Sequence, residues 1–127
     1  MKNLLLIFTL LFTSVFFSSP SYAEWTKVDE VKNGNTYYVD YERIRKHGGF
    51  VYFWTLVNYL KPTSGMLSSK RYSQGDCKLF RHKDLSFSSY KEPMGGGTGI
   101  DYTPTDKWNY PSPNSTNETI LKSVCNR

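Results

Sequence analysis

Alternating hydrophobic and polar positions in the first third of the chain predict two short strands. Residues 24–31 alternate with little contrast between their two faces, and Asn33-Gly34 after them is the strongest short signal for a hairpin. Residues 36–39 then form the second strand. Between Asp40 and Gly49 we predict a single helical or 3₁₀ turn, because a capping residue opens this segment and basic residues precede its closing glycines.

The strongest strand signal covers residues 50–60, which are apolar on both faces. That pattern is typical of a central strand whose two faces are both covered. Residues 66–73 form a more polar strand, and residues 78–90 alternate as a further strand with a bulge near Asp84. Residues 91–113 are rich in glycine and proline, so we expect an irregular connection that includes one short edge strand.

The end of the chain has the pattern of an amphipathic helix. Ser115 with Glu118 forms a capping box, and one apolar stripe follows at helical spacing. The stripe consists of Ile120, Leu121, Val124 and Cys125. We therefore expect the helix to lie on the sheet and to cover one face of the central strand.

The first 23 residues have the pattern of a secretory signal peptide. Lys2 gives a positive start, residues 4–17 are mainly apolar, and Ser21-Tyr22-Ala23 is a small-x-small cleavage signal. The apolar run is too short for a stable membrane span. We expect cleavage after Ala23 and a mature single domain of residues 24–127. No cysteine lies in the signal region, so a lipoprotein is not expected.

The chain has two cysteines, Cys77 and Cys125. In an exported chain they predict one disulfide, because the compartments outside the cytoplasm are oxidising. The second cysteine lies on the apolar stripe, so the bridge would pin the helix beside the turn at Cys77. The expected fold class is α+β, with a β-rich body that also suits the ten tyrosines and three tryptophans.

The charge balance is modestly basic. The whole chain has 16 Lys and Arg against 11 Asp and Glu, and loss of Lys2 with the signal would leave a formal charge of +4. A basic exported domain favours acidic partners such as sulfated glycans, anionic lipid surfaces or acidic proteins. Nucleic acid is not an expected partner for an exported chain.

No catalytic, cofactor or metal motif stands out. Asp40 and Glu42 would suit glycoside hydrolysis if they shared a strand face, but helix capping explains Asp40 without catalysis. His47 and His82 have no second ligand at metal-binding spacing. Glycines at 95–97 and 99 lack the Lys-Ser/Thr of a phosphate loop. We therefore expect no catalytic, cofactor-binding or metal-binding residues, and no enzyme.

The remaining candidate for function is a basic run on two strands that are adjacent in sequence and hence expected to pair. Two interpretations stay open for it. A run of charged residues often serves only to keep a surface solvated. The same run would also serve as a docking site for acidic ligands. The candidate partner-binding residues are Lys70, Arg71, Tyr72, Lys78, Arg81 and Lys83.

The order and spacing of several short segments resemble the surface-adhesin protein E family of Gram-negative bacteria. The resemblance spans nearly all of the mature chain, although no single segment is diagnostic. Its segments are Trp25, Tyr37-Tyr38-Val39-Asp40, Ile44-Arg45-Lys46 with Gly48-Gly49, Val51 to Tyr59, Ser69-Lys70-Arg71-Tyr72, Asp76-Cys77, Met94-Gly95-Gly96-Gly97, Trp108 and Val124-Cys125.

The resemblance implies an antiparallel sheet of about six strands, with a C-terminal helix tethered to one face by a disulfide. Cys77 and Cys125 match the family's bridge, and Lys70-Arg71 match a basic pair in its binding region. It also implies a surface lipoprotein that dimerises and binds host vitronectin, laminin and plasminogen. This chain departs from that pattern, since it lacks the lipoprotein cysteine.

The expected function is thus that of an exported, non-enzymatic, adhesin-like protein of the periplasm or cell surface, or secreted. It would dock host matrix or serum proteins, or other acidic partners, through a basic sheet surface. A second copy would cover the other face of the central strand in a homodimer. The alternative is a periplasmic accessory or inhibitor protein, similar to a lysozyme inhibitor, without an adhesin role.

Overall fold

One antiparallel sheet and one packed α-helix make up the part of the chain that the structure, a computed structural model, describes: residues 23–127. The expected signal peptide lies outside the described residues apart from Ala23. The strands are β1 (Thr26–Glu30), β2 (Thr36–Val39), β3 (Arg45–His47), β4 (Phe50–Thr63), β5 (Met66–Asp76), β6 (Arg81–Tyr90) and β7 (Ile100–Tyr102); the helix is α1 (Thr116–Cys125), and 3₁₀ turns cover Tyr41–Arg43 and Pro93–Gly95.

The strands lie in the order β1-β2-β4-β5-β6-β7, and β3 pairs with β4 on the same edge as β2. All pairs are antiparallel, so the predicted α+β fold with an antiparallel sheet is confirmed. The strand predicted at residues 50–60 is central, as expected, and it extends further, to Thr63. The predicted bulge near Asp84 is also present, because Ser73 pairs with Asp84 while Tyr72 pairs with Ser86.

The segment between β2 and β4 differs from the prediction. The 3₁₀ turn is confined to Tyr41–Arg43, and Arg45–His47 is a strand that pairs with the start of β4. Gly48 and Gly49 both have positive φ angles, of 59° and 83°, which makes them the turn of a hairpin. The glycines were therefore a hairpin signal and not the end of a helix.

The sheet has two faces that differ in what covers them. Val51 and Phe53 of β4 pack against the apolar stripe of α1, together with Val39 of β2. We call this side the helix face. The alternate residues of β4, such as Tyr52 and Trp54, point to the opposite side, which we call the open face.

The apolar stripe of α1 supplies three of the six buried residues of the core beneath it, as its spacing predicted. Ile120, Leu121 and Val124 are each at most 5% exposed, and each buried side chain of this kind stabilises the fold by about 1.5–3 kcal/mol. Gly75 of β5 allows the close approach of the helix. A Cβ atom at Gly75 would lie only 2.8 Å from Val51 Cγ1 and 3.0 Å from Leu121 Cδ1.

Both ends of α1 are fixed to the sheet. At its start, the Ser115 hydroxyl accepts a hydrogen bond from the Glu118 N–H, and the Thr116 hydroxyl donates to Asp29 of β1 at 2.8 Å. At its end, the predicted disulfide joins Cys125 to Cys77, with the two Cα atoms 5.7 Å apart. The helix is thus held at both termini as well as along its apolar face.

Replacing Cys77 and Cys125 together with alanine is expected to lower the free energy of unfolding by about 4 kcal/mol, less any strain that the bridge imposes on the folded chain. The bridge closes a loop between residues 48 positions apart, which restricts the unfolded chain. Urea unfolding followed by circular dichroism measures the change. The parent protein after reduction should unfold at the same midpoint as the variant, and equal midpoints for oxidised parent and variant would contradict the prediction.

Candidate functional site

Three half-buried aromatic rings form a row across the centre of the open face. Trp54 on β4 lies directly opposite Tyr72 on β5, and the centroids of the two rings are 4.8 Å apart. Tyr52 continues the row, with its ring centroid 6.3 Å from that of Tyr72. We call Tyr52, Trp54 and Tyr72 the aromatic row. Adjacent strands in this register place large rings side by side, where they shield one another only in part.

Segments from the connection between β6 and α1 cover the two ends of the open face. At one end the 3₁₀ turn Pro93–Gly95 lies over β4 and β5, where the Asn58 side chain accepts from the Met94 N–H and the Ser68 hydroxyl accepts from the Gly95 N–H. At the other end Trp108 stacks on Phe50 with ring centroids 5.8 Å apart. The aromatic row remains between these two covers.

Cationic side chains border the row, each placed against an aromatic ring. Lys70 lies over the ring of Tyr90 at 5.1 Å from its centroid. Arg81 and Lys83 lie over Trp108 at 4.2 and 4.9 Å. Such contacts contribute roughly 0.5–2 kcal/mol each, and they hold the cations in defined positions.

Two of these cations are also neutralised by carboxylates. Arg81 pairs with Asp76 at 2.9 Å, and Lys83 pairs with Asp106 at 3.1 Å. The pKa of Asp76 lies below its ordinary value because the Leu79 N–H donates to its carboxylate, with a further contribution from Arg81. Lys70 differs, since none of the carboxylates in residues 23–127 forms an ion pair with it. Of the three cations that lie over aromatic rings here, Lys70 is therefore the one whose charge no carboxylate of the described residues neutralises.

Arg71 lies on the other side of the sheet from Lys70 and Tyr72, because neighbouring residues of a strand point to opposite faces. It pairs with Asp84 on the helix face at 3.4 Å and lies over the Phe87 ring at 5.8 Å. Lys78 is exposed in the turn between β5 and β6. Of the six predicted partner-binding residues, the open face thus brings together Lys70, Tyr72, Arg81 and Lys83. Their role in binding stays a prediction.

A groove beside the aromatic row contains residues that the sequence had not suggested. It has a volume of about 620 Å³. Arg45 belongs to this side of the sheet because it pairs with Tyr52 across β3 and β4. A hairpin turn predicted at Gly48-Gly49 would have placed Arg45 on a strand beside β4. The lining residues are Glu42, Arg43, Ile44, Arg45, Trp54 and Tyr72.

The carboxylate pair considered for catalysis does not share a strand face. Asp40 is 1% exposed and directly follows β2, whereas Glu42 is exposed within the 3₁₀ turn. Asp40 lies 3.4 Å from Arg43, and its side chain makes no capping hydrogen bond. The capping explanation of Asp40 was therefore wrong. In the described range, no three His, Cys, Asp or Glu side chains are grouped as metal ligands would be.

His82 is the buried histidine of the described chain, at 8% exposure. Burial lowers its pKa from the ordinary value of 6.5, the nearby Asp84 carboxylate opposes that shift, and the Arg71 guanidinium adds to it. His82 and Arg71 line the same small cavity beneath α1. His82 therefore lies beneath the helix, whereas its neighbours Arg81 and Lys83 lie on the open face.

Comparisons with known proteins agree with the predicted resemblance. The model of the family described as Surface-adhesin protein E matches residues 25–126. Crystal form II of Haemophilus influenzae protein E superimposes with a TM-score of 0.64 at 21% identity, covering 87% of this chain and 94% of that one. A selenomethionine form of the same protein gives 0.59 at 22% identity, covering 87% and 93%. No curated protein matches.

Across residues 23–127 the structure has no helix long and apolar enough to cross a lipid bilayer.

Acidification is expected to destabilise the fold through His82. Because its pKa is depressed in the folded state, the unfolded chain binds the proton more readily, so the free energy of unfolding falls as the pH drops below about 6.5. Urea unfolding at pH 7.5 and at steps down to pH 5 measures this dependence. His82→Gln should flatten the profile, whereas the matched variant at the exposed His47, His47→Gln, should keep it. An unchanged profile in His82→Gln would exclude this residue as the cause.

Proposed function

Because the chain belongs to the surface-adhesin protein E family, we propose that it is an exported, non-enzymatic binding protein whose open sheet face docks acidic partners. The observation that carries this proposal is the aromatic row with Lys70 at its border. Half-buried Tyr and Trp side chains supply most of the energy of many protein interfaces. A cation without a carboxylate partner adds charge selectivity to them.

The proposed protein ligands are host matrix and serum proteins such as vitronectin, laminin and plasminogen, and the proposed non-protein ligands are sulfated glycans. The formal charge, +5 on the whole chain and +4 once Lys2 is lost with the signal, would steer acidic surfaces toward it. Arg45, exposed beside the row, would form paired hydrogen bonds with a carboxylate or a sulfate. Lys70 would act as a point charge at the same surface.

The proposed location follows from the signal sequence and the bridge. Residues 1–23 would direct export and be removed after Ala23. The disulfide between Cys77 and Cys125 suits an oxidising compartment, so the mature protein would act in the periplasm, at the cell surface or in the medium. Both cysteines of the chain are used in that bridge.

The variant Lys70→Ala/Tyr72→Ala is expected to weaken binding to an acidic ligand about tenfold or more, because it removes a cation and one ring of the aromatic row. Surface plasmon resonance on immobilised vitronectin, laminin and heparin, at two salt concentrations, measures the change. The loss should be larger at low salt, since part of the attraction is screened by ions.

Two matched variants control for the loss of charge alone. Arg71→Ala removes the neighbouring cation on the helix face, and Lys78→Ala removes an exposed cation in the turn. Circular dichroism confirms that each variant is folded. If Arg71→Ala or Lys78→Ala weakened binding as much as Lys70→Ala/Tyr72→Ala, the attraction would depend on total charge and not on the open face.

A homodimer through the same face is a second proposal, supported by the central strand being apolar on both sides. The connection between β6 and α1 covers the ends of the open face, so a second copy would pack on the aromatic row.

Sedimentation at micromolar concentration is expected to find dimers, with Trp54→Ala shifted toward monomer. Tyr110→Ala, which removes a ring that is 65% exposed elsewhere, should not change the distribution. A parent protein that sediments only as monomer would refute the dimer.

A further inference from the structure

The carboxylate of Asp40 is buried without the hydrogen bonds that a buried charge ordinarily has. Asp40 is 1% exposed, and within residues 23–127 no donor forms a hydrogen bond with either of its carboxylate oxygens. Arg43 Nε lies 3.4 Å from Oδ2, on a side chain that is 45% exposed. Buried carboxylates are costly unless donors compensate for the lost water. This side chain therefore calls for a further donor.

The main chain around Asp40 explains its position but makes no use of its side chain. The Asp40 N–H donates to the Trp54 carbonyl at 3.2 Å, and the Asp40 carbonyl accepts from the Arg43 N–H at 3.3 Å. The 3₁₀ turn that follows has no side-chain cap from Asp40. Both hydrogen bonds involve only main-chain atoms of Asp40, so they do not require a charged side chain at this position.

A cavity of about 110 Å³ adjoins Asp40, and the first described residue contributes to its wall. The pairing of Thr26 with Val39 carries the preceding residues past Asp40. The volume is enough for a group of a few heavy atoms, since one water occupies about 30 Å³ of liquid. The lining residues are Ala23, Trp25, Asp40, Arg43, Trp54 and Lys70.

We propose that this cavity binds the α-ammonium group of the mature chain's own first residue, Glu24, and that the group pairs with Asp40. The inference rests on the cleavage after Ala23 proposed above. In that step the export peptidase adds one water across the Ala23–Glu24 peptide bond. The carboxyl group leaves with Ala23, and the nitrogen of Glu24 takes up protons to become an ammonium.

The chemistry of the new terminus matches what the cavity lacks. An α-ammonium has three N–H donors and a positive charge, and its ordinary pKa is about 7.7–8.0. Ala23 and Trp25, the residues on either side of Glu24, line the cavity together with Asp40, so departure of Ala23 would free the Glu24 nitrogen at this wall. The precursor has only an amide at this position, so the ion pair forms only in the processed chain.

The other charged groups at the cavity are Arg43 and Lys70. Arg43 lies on the outer side of the carboxylate, and Lys70 is directed over the Tyr90 ring. Pairing with Asp40 raises the pKa of the α-ammonium in the folded state. The stabilisation is therefore complete below about pH 8 and is lost as the pH rises through the raised pKa.

The test compares a mature chain that begins at Glu24 with one that begins one residue earlier, at Ala23, each as parent and as Asp40→Asn. At pH 7 the unfolding equilibrium constant of the Glu24 chain is expected to be at least about tenfold smaller than that of the Ala23 chain. The difference should vanish at pH 10, and it should be absent between the two Asp40→Asn proteins. Equal constants at pH 7 would overturn the proposal, as would a difference that survives Asp40→Asn.

Three further measurements keep the test decisive. Asp106→Asn, at a carboxylate that is 89% exposed, should leave the tenfold difference intact. Cyanate should modify the α-amine of the folded Glu24 chain more slowly than that of the folded Ala23 chain, as read by mass spectrometry. Equal rates would contradict the ion pair even if Asp40→Asn folded poorly.

Mass analysis of the exported protein must find Glu24 as its first residue. Another N-terminal residue would overturn this inference without affecting the binding test on Lys70.

Discussion

The packing of α1 against the centre of the sheet is the constraint on which the rest of this structure depends. The helix buries Ile120, Leu121 and Val124 on β2 and β4, and Gly75 leaves space for that approach. The disulfide and the hydrogen bond to Asp29 hold its two ends. Because the helix covers only one face, large side chains on the other face must be covered by loops or by a partner, or must stay partly exposed.

That asymmetry gives adjacent residues of one strand different surroundings. Arg71 faces the helix side and is engaged with Asp84 and Phe87, whereas Lys70, one position earlier, borders the aromatic row. A strand places adjacent residues on opposite faces, so a basic pair that looks like one feature in the sequence serves two environments. Lys70 and Arg71 therefore have to be considered one at a time.

The segment between β2 and β4 links the fold to both proposed sites. It is short and interrupted, with a 3₁₀ turn that carries the chain away from the edge of β4 before β3 rejoins it. The interruption makes room for the groove beside Trp54 and places Asp40 under the start of the chain.

The sequence by itself determined the positions of most strands along the chain, the capped helix, the bridge between Cys77 and Cys125, and the family. These depend on local signals: period-two alternation, the Asn33-Gly34 turn, the spacing of the apolar stripe, and the only two cysteines. Only the tertiary structure decided which basic residues share a face, that Arg45–His47 is a strand, and that Asp40 is buried without donors. Those properties depend on strand register and on segments distant in the chain, which residue spacing along one strand does not encode.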